Sequence, residues 1–197
     1  MNTTVAIRRY IKDHPDEVID ASFLHKTLFP LVEYHTFLKI LSRLSNEGLI
    51  RAIGRGVRVP VNVDNGRVSA LVRDYYSDHT NGMAIGAALY YDLGIIVEKP
   101  KVIEVYTNRL DNGKRKCLLG HKLIGANVIF DDVAKKLITL LELIENQSSI
   151  VGIDNAKYAE VVNNLCKVNY TEALLDEVTN AIPYRDSTII ALREIWE

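Results

Sequence analysis

An α+β fold is predicted by three features of the 197-residue sequence. Helical apolar stripes recur three times before residue 48, two short alternating segments flank a Gly-Arg-Gly turn at 54–56, and capped helical periods fill the chain after residue 130. Apolar residues make up 48% and charged ones 25%, the balance of a chain that buries a core and not of a disordered or collagen-like one. At this length there is room for one ordinary domain or two small ones.

The first helix is read over residues 4–12, where Ile7, Tyr10 and Ile11 stand at i, i+3, i+4; it must stop before Pro15, because the residue preceding proline is pushed out of the helical region. A short stretch at 17–19 leads to a second helix, which Asp20 caps, with Phe23, Leu24 and Leu28 facing inward and Pro30 closing it. From 33 to 47 the period is strongest. Phe37, Ile40, Leu41 and Leu44 form the apolar face, His35, Lys39 and Arg43 recur on the other, and Gly48 ends the helix. Segments 49–53 and 57–61 then alternate on either side of Gly54-Arg55-Gly56, a hairpin whose glycines are expected at positive φ. Three helices followed by a tight two-stranded hairpin predict a winged helix-turn-helix over residues 1–64.

The polar stretch 62–67, with Asn65-Gly66 inside it, is read as the domain boundary, which leaves 66–197 as a second α+β domain ending in helices. There a helix is expected over 68–78 and a small-residue helix over 83–93, packed closely through Gly86 and Ala87. Residues 102–108 alternate as a strand, Asn112-Gly113 marks a turn, and 116–123 alternates less cleanly. Asp131 or Asp132 caps a helix running to about Glu145, and helices follow over 156–168, 171–181 and 187–196.

Charge is polarised along the chain. Lys and Arg number 24 against 25 Asp and Glu, which excludes a uniformly basic nucleic-acid coat. Residues 35–61, however, carry Lys39, Arg43, Arg51, Arg55 and Arg58 against Glu47 alone, a net +4, whereas 131–197 carries a net −6. In a winged helix the third helix enters the major groove and the wing touches backbone or minor groove. Tyr34, His35, Thr36 and Lys39 fall at the end of helix three that reaches base edges, Arg43 and Arg51 at positions suited to phosphates, Arg55 at the crown of the wing, and Arg58 on the same basic hairpin completes the expected DNA-binding set. The expected partner is double-stranded DNA. The competing reading is a solvated helix face on a winged domain used for protein contacts.

The run Ser42-Arg43-Leu44, Gly48-Leu49-Ile50-Arg51, Gly54-Arg55-Gly56 and Pro60 resembles the winged-helix domain of AbiEi-type antitoxins from bacterial abortive-infection toxin–antitoxin systems. Asn81-Gly82, Ala87-Ala88, Leu93-Gly94, Pro100-Lys101 and Thr107-Asn108 follow in the family's order, so the resemblance covers roughly residues 4–130. The chain departs from the family at Glu33, where a Ser cap is usual, at Val57, where an aromatic is frequent, and at Ile96–Pro100, which replaces Thr-Gln-Val-Pro. The resemblance implies a phage-defence antitoxin that represses its own promoter through the N-terminal domain and counteracts a nucleotidyltransferase toxin through the C-terminal part, with no tight toxin complex required. A stand-alone regulator whose C-terminal domain senses a small ligand, and a protein-binding adaptor, are the alternatives.

Enzymatic readings find little support. The sequence holds no Gly-x-Gly-x-x-Gly, P-loop or Gly-x-Ser-x-Gly, so no catalytic residue and no cofactor are expected. Asp74, Asp78 and His79 read as an exposed helix end and not as a metal site, and the five histidines are scattered. Cys117 and Cys166 form neither a disulfide framework nor a zinc pattern and are read as packing residues. The N-terminus is charged by position 8 and is not read as a secretory signal, and no apolar run approaches the roughly 20 residues of a membrane span. A reduced, cytoplasmic protein is expected.

Overall fold

The structure is a computed structural model that describes residues 3–196, a mixed helix-and-sheet chain divided into two compact units, Met1–Tyr75 and Tyr76–Glu197.

The first unit contains α1 (Thr3–Asp13), β1 (Ile19–Asp20), α2 (Ala21–Leu28), α3 (Tyr34–Asn46), β2 (Ile50–Gly54), β3 (Val57–Pro60) and most of α4 (Asn65–Ser77). The three predicted helices form, and their stripes meet except at Leu28, expected to face inward but 52% exposed at the end of α2. Ile7 and Ile11 of α1, Leu24 of α2 and Phe37, Ile40, Leu41 and Leu44 of α3 share one core with Ile19 and Ile50. Asp20 caps α2 as expected, its carboxylate accepting from the amides of Ser22 (3.0 Å) and Phe23 (3.3 Å). Glu33 precedes α3 without a side-chain cap.

Two details differ from the sequence reading. The stretch 17–19 ends in a short strand, β1, which pairs antiparallel with β3 (Ile19 with Arg58, Asp20 with Val57) and makes a three-stranded sheet in the order β1-β3-β2. In the hairpin the register slips between Ala52 and Gly54, so a bulge absorbs one residue and Gly54 stays within β2. Only Gly56, at φ +72°, takes the left-handed conformation expected of both hairpin glycines.

The boundary also moves. The Asp64 carboxylate accepts from the Gly66 amide (2.9 Å) and its carbonyl from the Arg67 amide (3.0 Å), so Asn65-Gly66 opens α4 instead of forming a linker turn. The units divide at 75/76, within a helix, and not at 62–67.

The second unit holds β4 (Gly82–Ile85), α5 (Ala87–Asp92), β5 (Glu104–Thr107), β6 (Arg115–Leu118), β7 (His121–Gly125), α6 (Asp132–Asn146), a 3-10 turn (Gln147–Ser149), α7 (Asn155–Leu165), α8 (Glu172–Ala181) and α9 (Asp186–Trp196). The helix expected over 83–93 is a strand followed by a short helix. Gly86, at φ +60° and ψ −141°, separates them, and Gly82 must be glycine because a Cβ there would lie 2.2 Å from the carbonyl oxygens of Tyr76 and Tyr106.

The sheet order is β4-β5-β7-β6, with β5 and β7 parallel and the other pairs antiparallel. Sequence periodicity suggests a hairpin of 102–108 with 116–123 about Asn112-Gly113. The observed hairpin is β6-β7, turned by Leu119 (φ +51°) and Gly120 (φ +82°), the two left-handed residues a tight hairpin requires. Asn112 serves elsewhere, accepting from the Asn127 amide (3.1 Å).

The C-terminal helices follow the sequence closely. Asp131, Asp154 and Thr171 cap α6, α7 and α8 by side-chain hydrogen bonds. Helix α6 is the hub: Leu137, Ile138, Leu140, Leu141 and Leu143 are fully buried in a core that also takes Tyr158 of α7, Leu175 and Val178 of α8 and Leu192 of α9.

Candidate functional site

Helix α3 is amphipathic, and the face that does not enter the core carries the predicted readers. With Phe37, Ile40, Leu41 and Leu44 buried, the 3.6-residue period leaves His35, Thr36, Lys39 and Arg43 exposed. The structure brings these four onto one surface. His35 is paired with Glu33. Tyr34, 40% exposed, lies less freely: its hydroxyl meets Ser22 Oγ of α2 at 3.2 Å and its ring stands edge-on to His25 at 5.0 Å, an arrangement that fixes the start of α3 against α2.

The hairpin arginines separate into three cases. Arg55 is exposed at the two-residue turn between β2 and β3. Arg51 is half-buried and donates from Nη2 to the Val63 carbonyl at 2.9 Å, which ties β2 to the segment entering α4. Arg58 is also half-buried. Its Nε and Nη1 are shut off from solvent without a hydrogen-bond partner, and burial, opposed by the nearby Tyr34, lowers its pKa from the ordinary arginine value. The exposed cations of α3 and the hairpin are therefore Lys39, Arg43 and Arg55. Glu47, the one acid in the segment, is held by Arg8 of α1 at 2.7 Å.

Other sequence candidates are committed locally or displaced. Asp74 is bound by Arg73 (2.8 Å) and Asp78 by the His79 ring (3.1 Å). Cys117, expected to pack, is exposed on the edge strand β6; Cys166 is half-buried, and burial raises its thiol pKa. In the Lys114-Arg115-Lys116 turn, which the sequence marks as a possible extension of a nucleic-acid surface, Lys114 faces Asp111 at 3.8 Å.

Sequence reasoning misses a cleft of about 370 Å³ in the second unit, formed by β4, β5, β7, α5, α6 and the connection from α8 to α9. Glu142, only 5% exposed, stands in its wall. Its Oε1 accepts from the hydroxyls of Tyr106 (3.2 Å) and Tyr184 (3.1 Å) and its Oε2 from Asn146 Nδ2 (3.3 Å). Burial pushes the Glu142 carboxyl up to about 7, against the opposing effect of the two tyrosine donors. Burial also raises Tyr90, Tyr106 and Tyr184. Glu145, one turn toward the C-terminus, behaves oppositely: burial raises it, but Thr188 and Arg185 donate to it and together hold it below the usual carboxylate range. The signal was present in the sequence, since Glu142 falls on the buried stripe of α6 where a charge is unexpected.

Among the described residues no helix is long and apolar enough to cross a membrane. Comparison of the chain with protein-family models and with curated proteins finds no match.

Proposed function

We propose that the first unit is a winged helix-turn-helix that binds double-stranded DNA, with α3 in the major groove and the β2-β3 hairpin as the wing. The observation that carries this reading is the exposed surface of α3 and the hairpin turn, where Thr36, Lys39, Arg43 and Arg55 face solvent while the only acid of the segment is engaged by Arg8. Three helices followed by a β-hairpin, in that chain order, support the same reading. Combined with the resemblance to AbiEi-type antitoxins, the chain is a cytoplasmic autorepressor of a phage-defence operon that acts by binding, without catalysis, and counteracts a nucleotidyltransferase toxin. Electrophoretic shift of the duplex upstream of its own coding sequence, with and without the Lys39→Ala and Arg55→Ala substitutions, tests the DNA half. Co-expression with the neighbouring nucleotidyltransferase tests the antitoxin half.

A second reading, a stand-alone regulator whose second unit senses a small molecule, is favoured by one observation, the cleft at Glu142. Its test is a change in operator affinity when that cleft is filled.

A further inference from the structure

We propose that the cleft of the second unit binds a small organic monocation, an ammonium or amidinium group on an apolar body, through the carboxylate of Glu142. The inference concerns the second unit alone and stands or falls independently of DNA binding.

The charge pattern of the cleft selects the ligand. Among the described residues three carboxylates line it, Glu104, Glu142 and Glu145, and no lysine or arginine does. Two are already compensated: Lys122 holds Glu104 at 2.6 Å, and Arg185 holds Glu145 at 2.6 Å. Glu142 is different, since every contact it makes is a hydrogen bond from a neutral group. A buried carboxylate satisfied only by neutral donors leaves one unit of charge unbalanced. A single positive charge entering the cleft balances it.

The remaining wall fits the body of such a ligand. Tyr90, Tyr106 and Tyr184 line the cleft with the carboxylate, the last two touching it through their hydroxyls, and Ile85, Ile124 and Pro183 complete an apolar share of the wall. Aromatic faces attract organic cations, more strongly where water is excluded. The volume of about 370 Å³ lies in the range of small-molecule sites. An anion would meet three carboxylates, and a neutral molecule would leave Glu142 uncompensated whenever it is ionised.

The same geometry makes binding depend on pH. The groups facing Glu142 from the surrounding elements are Tyr90 of α5, Tyr106 and Glu104 of β5, Tyr184 before α9, and Glu145 and Asn146 of α6; Arg115 of β6 acts on Tyr106 from across the sheet. None of these neighbours is a lysine or arginine in contact with Glu142, so its own proton competes with the ligand. With its carboxyl near 7, the fraction ionised rises about tenfold between pH 6 and pH 8, and cation affinity rises by the same factor.

Ligand-observed NMR on the full chain tests this with benzylammonium, benzamidinium and butylammonium beside the isosteres benzyl alcohol and benzoate. At pH 8 at least one cation binds, benzyl alcohol and benzoate bind at least tenfold more weakly, and the affinity of that cation falls about tenfold at pH 6. Glu142→Gln, which keeps an oxygen acceptor for both tyrosines, loses at least tenfold in affinity. Absence of binding by all three cations, equal binding of benzyl alcohol, or an affinity indifferent to Glu142→Gln overturns the proposal. Should that variant fail to fold, the pH comparison on the unaltered chain decides: an affinity equal at pH 6 and pH 8 overturns it.

Discussion

Arg51 Nη2 donates to the carbonyl of Val63 at 2.9 Å, so an arginine that the sequence offers to a phosphate is engaged in holding β2 to the residues that open α4. A hydrogen bond from a charged donor to a part-buried carbonyl contributes about 1.5–3 kcal/mol. Arg51→Ala is therefore expected to lower the stability of the chain in urea melts by about that much. The slope of DNA affinity against salt should stay as it is, whereas a flatter slope would return Arg51 to the phosphate-contacting set.

The residues on α3 and at the hairpin turn are expected to differ in kind. If α3 lies in the major groove as proposed, Thr36→Ala and Lys39→Ala, at its exposed N-terminal half, should each relax preference at particular base pairs by about 1–3 kcal/mol. Arg55→Ala should weaken all sequences about equally. Competition binding against a library of single-base operator variants reads the difference; uniform losses in all three variants would remove α3 from the major groove.

Glu142 makes the stability of the second unit depend on pH with a defined sign. A carboxyl raised from 4.5 to about 7 keeps its proton in the folded protein where the unfolded chain has lost it. The folded state binds more protons across that window, and stability falls as pH rises through it. Glu142→Gln should thus stabilise the chain at pH 8 by on the order of 3 kcal/mol and leave stability at pH 4 nearly unchanged. Denaturant melts at the two pH values check this, and an equal effect at both would show that the carboxyl is not shifted.

Gly82→Ala should destabilise the chain by roughly 1–3 kcal/mol or more, because the new methyl would press on the Tyr76 and Tyr106 carbonyl oxygens and force β4 away from β5. Gly113→Ala meets no such obstacle, only the strain of its φ of +73°, and should cost less. Thermal melts of the two variants compare them directly.

Helices were readable wherever caps and stripes coincided. Asp20 and Asp131 cap as the sequence reading expects, because a short acceptor just before an apolar period is a local signal, whereas Thr171, read as the first residue of a helix, is the cap of α8. What escaped was non-local. The strand β4 is four residues long and runs straight into α5, so its small residues look helical until Gly82 and Gly86 are seen as a close approach and a positive-φ break. The parallel pairing of β5 with β7 depends on contacts between distant segments that no alternation encodes. In the candidate interface, spacing on α3 identified the exposed cations, whereas the fates of Arg51 and Arg58 were set by tertiary partners and burial. Burial of the α6 stripe turns Glu142 from one more surface acid into a buried carboxyl raised well above its ordinary range.

DNA binding by the first unit is tested most directly by the salt dependence of affinity for the duplex upstream of the chain's own coding sequence. Arg43 and Arg55 are the exposed arginines of that surface proposed to meet phosphates, and each phosphate contact contributes about −0.9 to the slope of log affinity against log salt. The account predicts a slope of about −1.8 or steeper per bound copy, reduced by about 0.9 in Arg55→Ala. No binding, or an affinity indifferent to salt, would contradict it.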